Sequence, residues 1–156
     1  MKTENKQRWL TATLLAAACI AFFSFSSPAG GDVVEIYLND ELMVRQYLHA
    51  DRDIKTVSLQ KAKAGDQLKV YYSHCGANGK NRSIFLKNEQ GKELKKWQYA
   101  DVSGSARSMM NCSVRDIFEV QKSSSGKLKL YYASKEIPGG KLLAGIAAGN
   151  ANSANP

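Results

Sequence analysis

Residues 33–48 read VVEIYLNDELMVRQYL. Apolar and polar residues alternate on both sides of Asn39-Asp40-Glu41. A period of two is typical of strands that bury one face, and Asn and Asp favour the tight turn between two such strands. The stretch therefore predicts a β-hairpin. The apolar side chains expected to share its inner face are Val34, Ile36, Leu38, Leu42, Val44 and Leu48.

The same alternation recurs along the chain and predicts further strands. They are expected at residues 56–59, 67–73, 83–87, 92–99, 114–120 and 127–132, of which the last four form two more hairpins. Many short, closely spaced strands are typical of a sandwich or barrel. The sequence therefore predicts an all-β protein, an antiparallel β-sandwich of immunoglobulin-like or jelly-roll type with about eight strands.

One six-residue pattern occurs twice, as LKVYYS at 68–73 and as LKLYYA at 128–133. Equivalent strands in two halves of a sandwich would give this echo, and so would chance, because each copy is simply a good strand. In both copies the alternation puts a tyrosine, Tyr71 or Tyr131, on the side away from the leucines.

The N-terminal residues resemble an export signal more than part of a fold. Three basic residues precede an uncharged run at 9–25, and small residues follow up to Gly30, which predicts cleavage after Ala29. A retained membrane anchor and a lipid attached at Cys19 are the alternatives. The predicted organisation is a signal peptide at 1–29, a β-sandwich domain at 30–137 and a flexible tail at 138–156. Within the tail, residues 141–146 suit one helical turn or an apolar plug.

Charge limits the classes of partner. The chain has 22 basic and 14 acidic residues, and without residues 1–31 it keeps 19 and 13, a net charge of +6. Such an excess favours weak association with anionic polymers or membrane surfaces, although soluble basic domains share it. The basic residues are scattered with no run of five or six like charges, so no nucleic-acid partner is predicted.

Two cysteines remain once the signal is removed. Two thiols in an oxidising compartment are most simply paired, so a disulfide between Cys75 and Cys112 is predicted. The loop that it closes would contribute about 3 to 4 kcal/mol of stability in the chain-entropy model.

The sequence gives little support for a metal site or for a catalytic nucleophile. His49 and His74 are the only histidines, which is too few for a blue-copper or zinc site with oxidised cysteines. No cofactor, no metal and no catalytic residue are therefore predicted.

The predicted ligand-binding residues lie in or near the Gly- and Asn-rich segment 75–82, with one tryptophan from a later strand. They are His74, Asn78, Lys80, Arg82 and Trp97. The alternative for the segment is a simple connection, and the alternative for Trp97 is a core tryptophan.

The function predicted from these features is that of an exported protein, periplasmic, in the cell envelope or secreted, which binds an envelope protein or a glycan without catalysis. A sheet face or the 75–82 segment would carry the binding. One alternative is a small secreted enzyme, which requires a pocket where His49 or His74 meets carboxylates such as Asp51 or Asp116. The other is a membrane-anchored envelope component, if residues 10–25 stay attached.

Overall fold

The stretch that predicts a hairpin forms one. In the computed structural model of the chain, β1 (Val33–Leu38) and β2 (Glu41–Tyr47) are antiparallel neighbours. Asn39 occupies the turn with a φ of 54°, a left-handed conformation that asparagine tolerates better than most residues. The structure describes residues 31–48, 54–74, 79–101, 108–124 and 126–148.

Seven more strands and one helix follow this hairpin in the described residues. They are β3 (Thr56–Leu59), β4 (Gln67–Ser73), β5 (Arg82–Lys87), β6 (Glu93–Tyr99), β7 (Met110–Ser113), α1 (Val114–Ser123), β8 (Leu128–Ala133) and β9 (Lys141–Ala148). The strands form two sheets, in the orders β2-β1-β4-β7 and β3-β9-β8-β5-β6. The all-β class is confirmed, but β3 pairs with β9 in parallel, so the second sheet is mixed where an antiparallel one was predicted.

The inward side chains of both sheets join one apolar cluster. Val34 and Ile36 from β1 are fully buried, as are Ile84 and Leu86 from β5. Burying a side chain of this size contributes about 1.5 to 3 kcal/mol. The period-two pattern thus identified the buried face of β1 correctly.

Leu42 does not belong to that cluster, because β1 and β2 change register. Ile36 pairs with Val44, but the next residue, Tyr37, pairs with Leu42, so Met43 is the extra residue of a β-bulge. Leu42 consequently lies opposite the outward Tyr37 and is 47% exposed. The prediction that Leu42 faces the core is wrong for this reason.

A polar side chain joins the two sheets inside the fold. Gln46 on β2 is buried, and its amide donates to the carbonyl oxygen of Leu143 on β9. Its carbonyl oxygen accepts from the backbone N–H of Lys55, at 3.2 Å. Both ends of the buried amide therefore have partners, which a buried polar group requires.

The predicted strand at 114–120 is wrong, since this segment forms α1. The hydroxyl of Ser113 caps the helix by accepting from the N–H of Asp116, at 3.3 Å, and Asp116 also suits the positive end of the helix dipole. Val114 and Ile117, one helical turn apart, are buried. The hairpin predicted to include this segment is therefore absent, and β8 lies between β5 and β9 instead.

The predicted flexible tail is also corrected, because it contains β9. This strand pairs with both β8 and β3, and it buries Leu143, Ala144 and Ile146. A change of register between Leu130 and Tyr131 interrupts its alternation, which concealed it in the sequence. Residues 149–156 lie outside the described residues.

The two copies of the repeated pattern form β4 and β8, which belong to different sheets. The last tyrosine of each copy meets the other: the rings of Tyr72 and Tyr132 stack with centroids 4.2 Å apart and planes at 13°. Tyr71 and Tyr131 point away from the leucines, as predicted. Tyr71 pairs with Glu35, which points outward, and Tyr131 pairs with Phe85. The two strands that share the pattern are thus in contact through the rings of Tyr72 and Tyr132.

The predicted disulfide is not formed at Cys112, which is a free and fully buried thiol in the structure. Its sulfur lies 3.4 Å from the hydroxyl of Tyr99, and burial raises its pKa to about 12. Cys75 lies outside the described residues, as do residues 1–30 with the predicted signal peptide. Among the residues that are described, no helix is long and apolar enough to cross a membrane.

We predict that a thiol reagent labels Cys112 only after the protein is unfolded, and without any reductant. A buried thiol with a raised pKa supplies almost no thiolate at neutral pH. Mass spectrometry of the labelled protein in native buffer and in denaturant measures this directly. A requirement for reductant before Cys112 can be labelled would establish the disulfide and contradict the structure.

Candidate functional site

His74 follows β4 and packs among tyrosines. Its Nε2 lies 2.9 Å from the hydroxyl of Tyr132, and its ring meets that of Tyr72 edge-on at 4.7 Å. The Tyr72 hydroxyl in turn donates to the carboxylate of Asp32. Burial lowers the pKa of His74, an effect that Asp32 and Glu136 oppose and Arg82 reinforces. The arrangement is a packed polar cluster at the end of the strands.

Arg82 serves the fold rather than an open site. Its residue is only 6% exposed. The guanidinium donates to the carbonyl oxygen of Ala100 and to the hydroxyl of Ser108, both at 2.8 Å. These bonds link Arg82 to both Ala100 and Ser108, so the cation is already engaged within the protein.

Trp97 packs α1 against β6. Its ring is partly buried against the core, and its Nε1 donates to Asp116 at 3.3 Å. Lys95 completes the contact: its Nζ lies 2.9 Å from the Asp116 carboxylate and 5.9 Å from the centre of the Trp97 ring. The structure thus agrees with the alternative given above, a tryptophan of the core.

Of the other two predicted site residues, Lys80 and Asn78, the structure describes only Lys80. Lys80 has an exposed side chain, and its backbone N–H donates to Glu136 at 3.1 Å. Asn78 lies outside the described residues. His74 and Arg82 share one end of the fold, whereas Trp97 faces the helix.

The conditions for the enzyme alternative are not met in the described part of the chain. Asp116 is engaged by Lys95 and Trp97, and His74 by Tyr132, so each of these two groups already has partners of its own. His49 and Asp51 lie outside that part. Within it, no three side chains of His, Cys, Asp or Glu are grouped in a way that could hold a metal ion.

A better candidate is the outward face of the first sheet, which we call the tyrosine face. Cross-strand pairing puts its side chains side by side: Glu35 lies opposite Arg45 and Tyr71, Tyr37 opposite Leu42 and Lys69, and Val33 opposite Tyr47. The middle strand, β1, is hydrogen-bonded on both sides. These side chains are therefore held on a rigid support, as a binding site requires.

A buried carboxylate lies at the centre of the tyrosine face. Glu35 is 7% exposed even though it points away from the core. Its carboxylate accepts from the hydroxyl of Tyr37 at 2.9 Å and pairs with Nε of Arg45 at 3.3 Å. Burying a charge requires such partners. Arg45 keeps 60% of its side chain exposed, so the pair can still offer donors to a ligand.

Aromatic rings surround this carboxylate. Tyr37 and Tyr71 meet edge to face, with centroids 5.6 Å apart and planes at 80°. Tyr47 is 62% exposed. Lys69, next to Tyr37, pairs with Asp40 at 2.8 Å. The face thus combines exposed aromatic surface with charges that are balanced in pairs.

Two shallow depressions meet at Tyr71. One has a volume of about 280 Å³, and its lining includes Glu35, Arg45 and Ser73. The other has a volume of about 320 Å³, and its lining includes Tyr37, Asp40 and Lys69. Together they suit a ligand that lies along the sheet more than one that enters a deep pocket.

Sequence reasoning missed this site, although its signal is present. The outward positions of β1 and β4 carry Glu35, Tyr37 and Tyr71 instead of the short polar residues common on a wet face. Only the strand register shows that they are neighbours.

Neither the protein-family models nor the curated proteins include a match to this chain.

We predict that acidification destabilises the protein through His74. Its folded pKa lies below the ordinary value of 6.5, so the unfolded state takes up a proton first and stability falls as the pH drops below that value. His74→Gln should weaken the pH dependence between about pH 7 and pH 5. Urea unfolding midpoints across this range measure the effect. Equal slopes for both proteins would show that His74 does not contribute.

We also predict that Gly79→Ala is destabilising. A methyl group at position 79 would overlap the Tyr132 hydroxyl and lie 2.9 Å from Nε2 of His74. Overpacking of this kind costs about 1 to 3 kcal/mol. Gly65→Ala is the matched control, because nothing lies within 4 Å of the added methyl group. Thermal unfolding of both variants tests this, and an equal effect at the two positions would refute the tight packing.

Proposed function

We propose that this protein is an exported, non-catalytic binding protein whose ligand is a glycan held on the tyrosine face. The observation that carries the proposal is the grouping of Tyr37, Tyr71 and the buried Glu35–Arg45 pair on one side of a sheet. Aromatic rings offer apolar faces to the C–H surface of a sugar ring. The charged pair and Lys69 offer donors and acceptors for its hydroxyl groups.

The balance of charge indicates which glycans fit. Glu35 is paired with Arg45, and Asp40 with Lys69, so the face has no large excess of either sign. Such a surface favours neutral sugar chains over strongly acidic ones. The two adjoining depressions suit several sugar units in a row.

The remaining parts of the proposal concern architecture and location. We infer that the two sheets pack as a β-sandwich of the immunoglobulin-like or jelly-roll class, which the apolar cluster common to both sheets supports. The proposal that the protein is exported rests on the sequence of residues 1–29. Attachment to a membrane through residues 10–25 would follow only if that segment is retained. A nucleic-acid partner is not proposed.

Replacing Tyr71 tests the proposal, because this residue borders both depressions. We expect Tyr71→Ala to weaken binding of a neutral polysaccharide roughly tenfold, since an aromatic contact contributes about 0.5 to 1.5 kcal/mol beyond its buried area. A glycan array identifies the ligand, and affinity electrophoresis or calorimetry then gives Kd for each variant.

Tyr131→Ala is the matched control. It removes the same side chain from an outward position of the other sheet, where Tyr131 stacks on Phe85 at 5.4 Å. An equal loss in both variants, or no binding to any glycan at millimolar concentrations, would refute the proposal. Capture of an envelope protein that depends on Tyr71 would assign the same face to protein binding instead.

A further inference from the structure

The outward face of the second sheet gathers lysines that are far apart in the sequence. Lys87 on β5 lies directly opposite Lys129 on β8. On the other side of β5, Lys96 lies opposite Phe85. We call the surface formed by Lys87, Lys96 and Lys129 the lysine face.

These three cations have no partner of opposite charge in the described part of the chain. The ion pairs there involve Arg45, Lys69 and Lys95. Glu93 is opposite Lys87 but forms no ion pair with it, and Glu89 approaches Gly126 at the rim. Like charges directly opposite each other destabilise a sheet. An anionic surface that covers this face would relieve the repulsion.

Aromatic rings lie beneath the charges. Phe85 and Tyr131 are stacked with planes at 10°, and the Nζ of Lys87 lies 5.2 Å and 5.0 Å from their centroids. Phe85 is only 5% exposed, so its ring does not protrude. The face therefore presents ammonium groups supported on a flat floor, without an apolar side chain that would insert deeply.

Two shallow hollows continue the face on either side, and further lysines line them. One hollow, of about 360 Å³, includes Lys96 and Lys135, and the other, of about 380 Å³, includes Lys127 and Lys129. The second hollow also exposes apolar surface from Leu142. The positive surface is thus broad and open.

We propose that the lysine face binds the surface of an anionic lipid bilayer. Its cations are all lysines, compact point charges that suit mobile headgroups and lack the rigid fork by which arginine recognises one anion. A lysine near such a surface contributes a roughly fivefold gain in affinity. The tyrosine face belongs to the other sheet, so the proposed glycan site stays accessible on a bound protein.

Vesicle binding by the full chain tests this proposal. The probe is phosphatidylcholine vesicles with and without about one third phosphatidylglycerol, a composition that supplies the anionic headgroups. We expect binding only to the anionic vesicles, weakened by salt through screening. The variant Lys87→Gln/Lys96→Gln/Lys129→Gln should lose roughly 100-fold in affinity, following the same value per lysine.

The matched control is Lys61→Gln/Lys63→Gln/Lys122→Gln. It lowers the net charge by the same amount as the first triple variant, but at exposed lysines outside the lysine face. Any contribution of residues 10–25 to vesicle binding is the same in both variants. Equal losses would show that only net charge matters and would overturn the proposal. Binding to a soluble acidic polysaccharide but not to anionic vesicles would overturn it as well, in favour of a polyanion.

Folding of the variants is checked separately. Lys129→Gln alone removes the repulsion with Lys87, so it should melt at the same temperature as the parent protein or higher while it binds vesicles about fivefold more weakly. A lower melting temperature would mean that Lys129 stabilises the fold. Glycan binding by the triple variant remains a separate readout, so the two proposals fail or succeed independently.

Discussion

The apolar layer shared by the two sheets is the constraint on which the remaining features depend. It is built from side chains such as Val34, Ile36, Ile84 and Leu130, each fully buried and each on the inward side of its strand. Because successive side chains on a strand point to opposite faces, burial of one set fixes which residues face outward. Side chains at those outward positions do not pack in the core, so tyrosines and lysines can occupy the positions at little cost in stability.

The two outward faces use this freedom differently. On the first sheet each charge has a partner close by, as in the pair of Glu35 and Arg45, and tyrosines supply contact area. Such a surface would select the proposed ligand by shape and hydrogen bonds. On the second sheet Lys87 and Lys129 lie opposite each other without an ion-pair partner among the described residues. Such cations would attract an anionic surface at longer range, with little discrimination. If both proposals hold, this one domain would combine selective and unselective contacts.

The sequence was a good guide to the strands wherever alternation was unbroken. It located β1 to β6 and β8, and it failed at α1 because Val114, Ile117 and the residues between them also suit a short strand. The cap formed by Ser113 and Asp116 was the missed signal. The sites were harder to predict: Trp97 and Arg82 look like ligand-binding residues until their partners are known. Both outward faces depend on the pairing of strands that are remote in sequence, which no local pattern contains.

Gln46 has a consequence for the order of events during synthesis. Its buried amide depends on the carbonyl oxygen of Leu143, 97 residues further along the chain. A hairpin of β1 and β2 that forms early lacks this partner, so burying the Gln46 amide at that stage would cost about 1 to 3 kcal/mol. The nascent chain can therefore complete this part of its interior only after Leu143 has been made and β9 has joined the fold. If the protein is exported as proposed above, this delay would help the chain to stay unfolded, and hence competent for passage through a translocation channel.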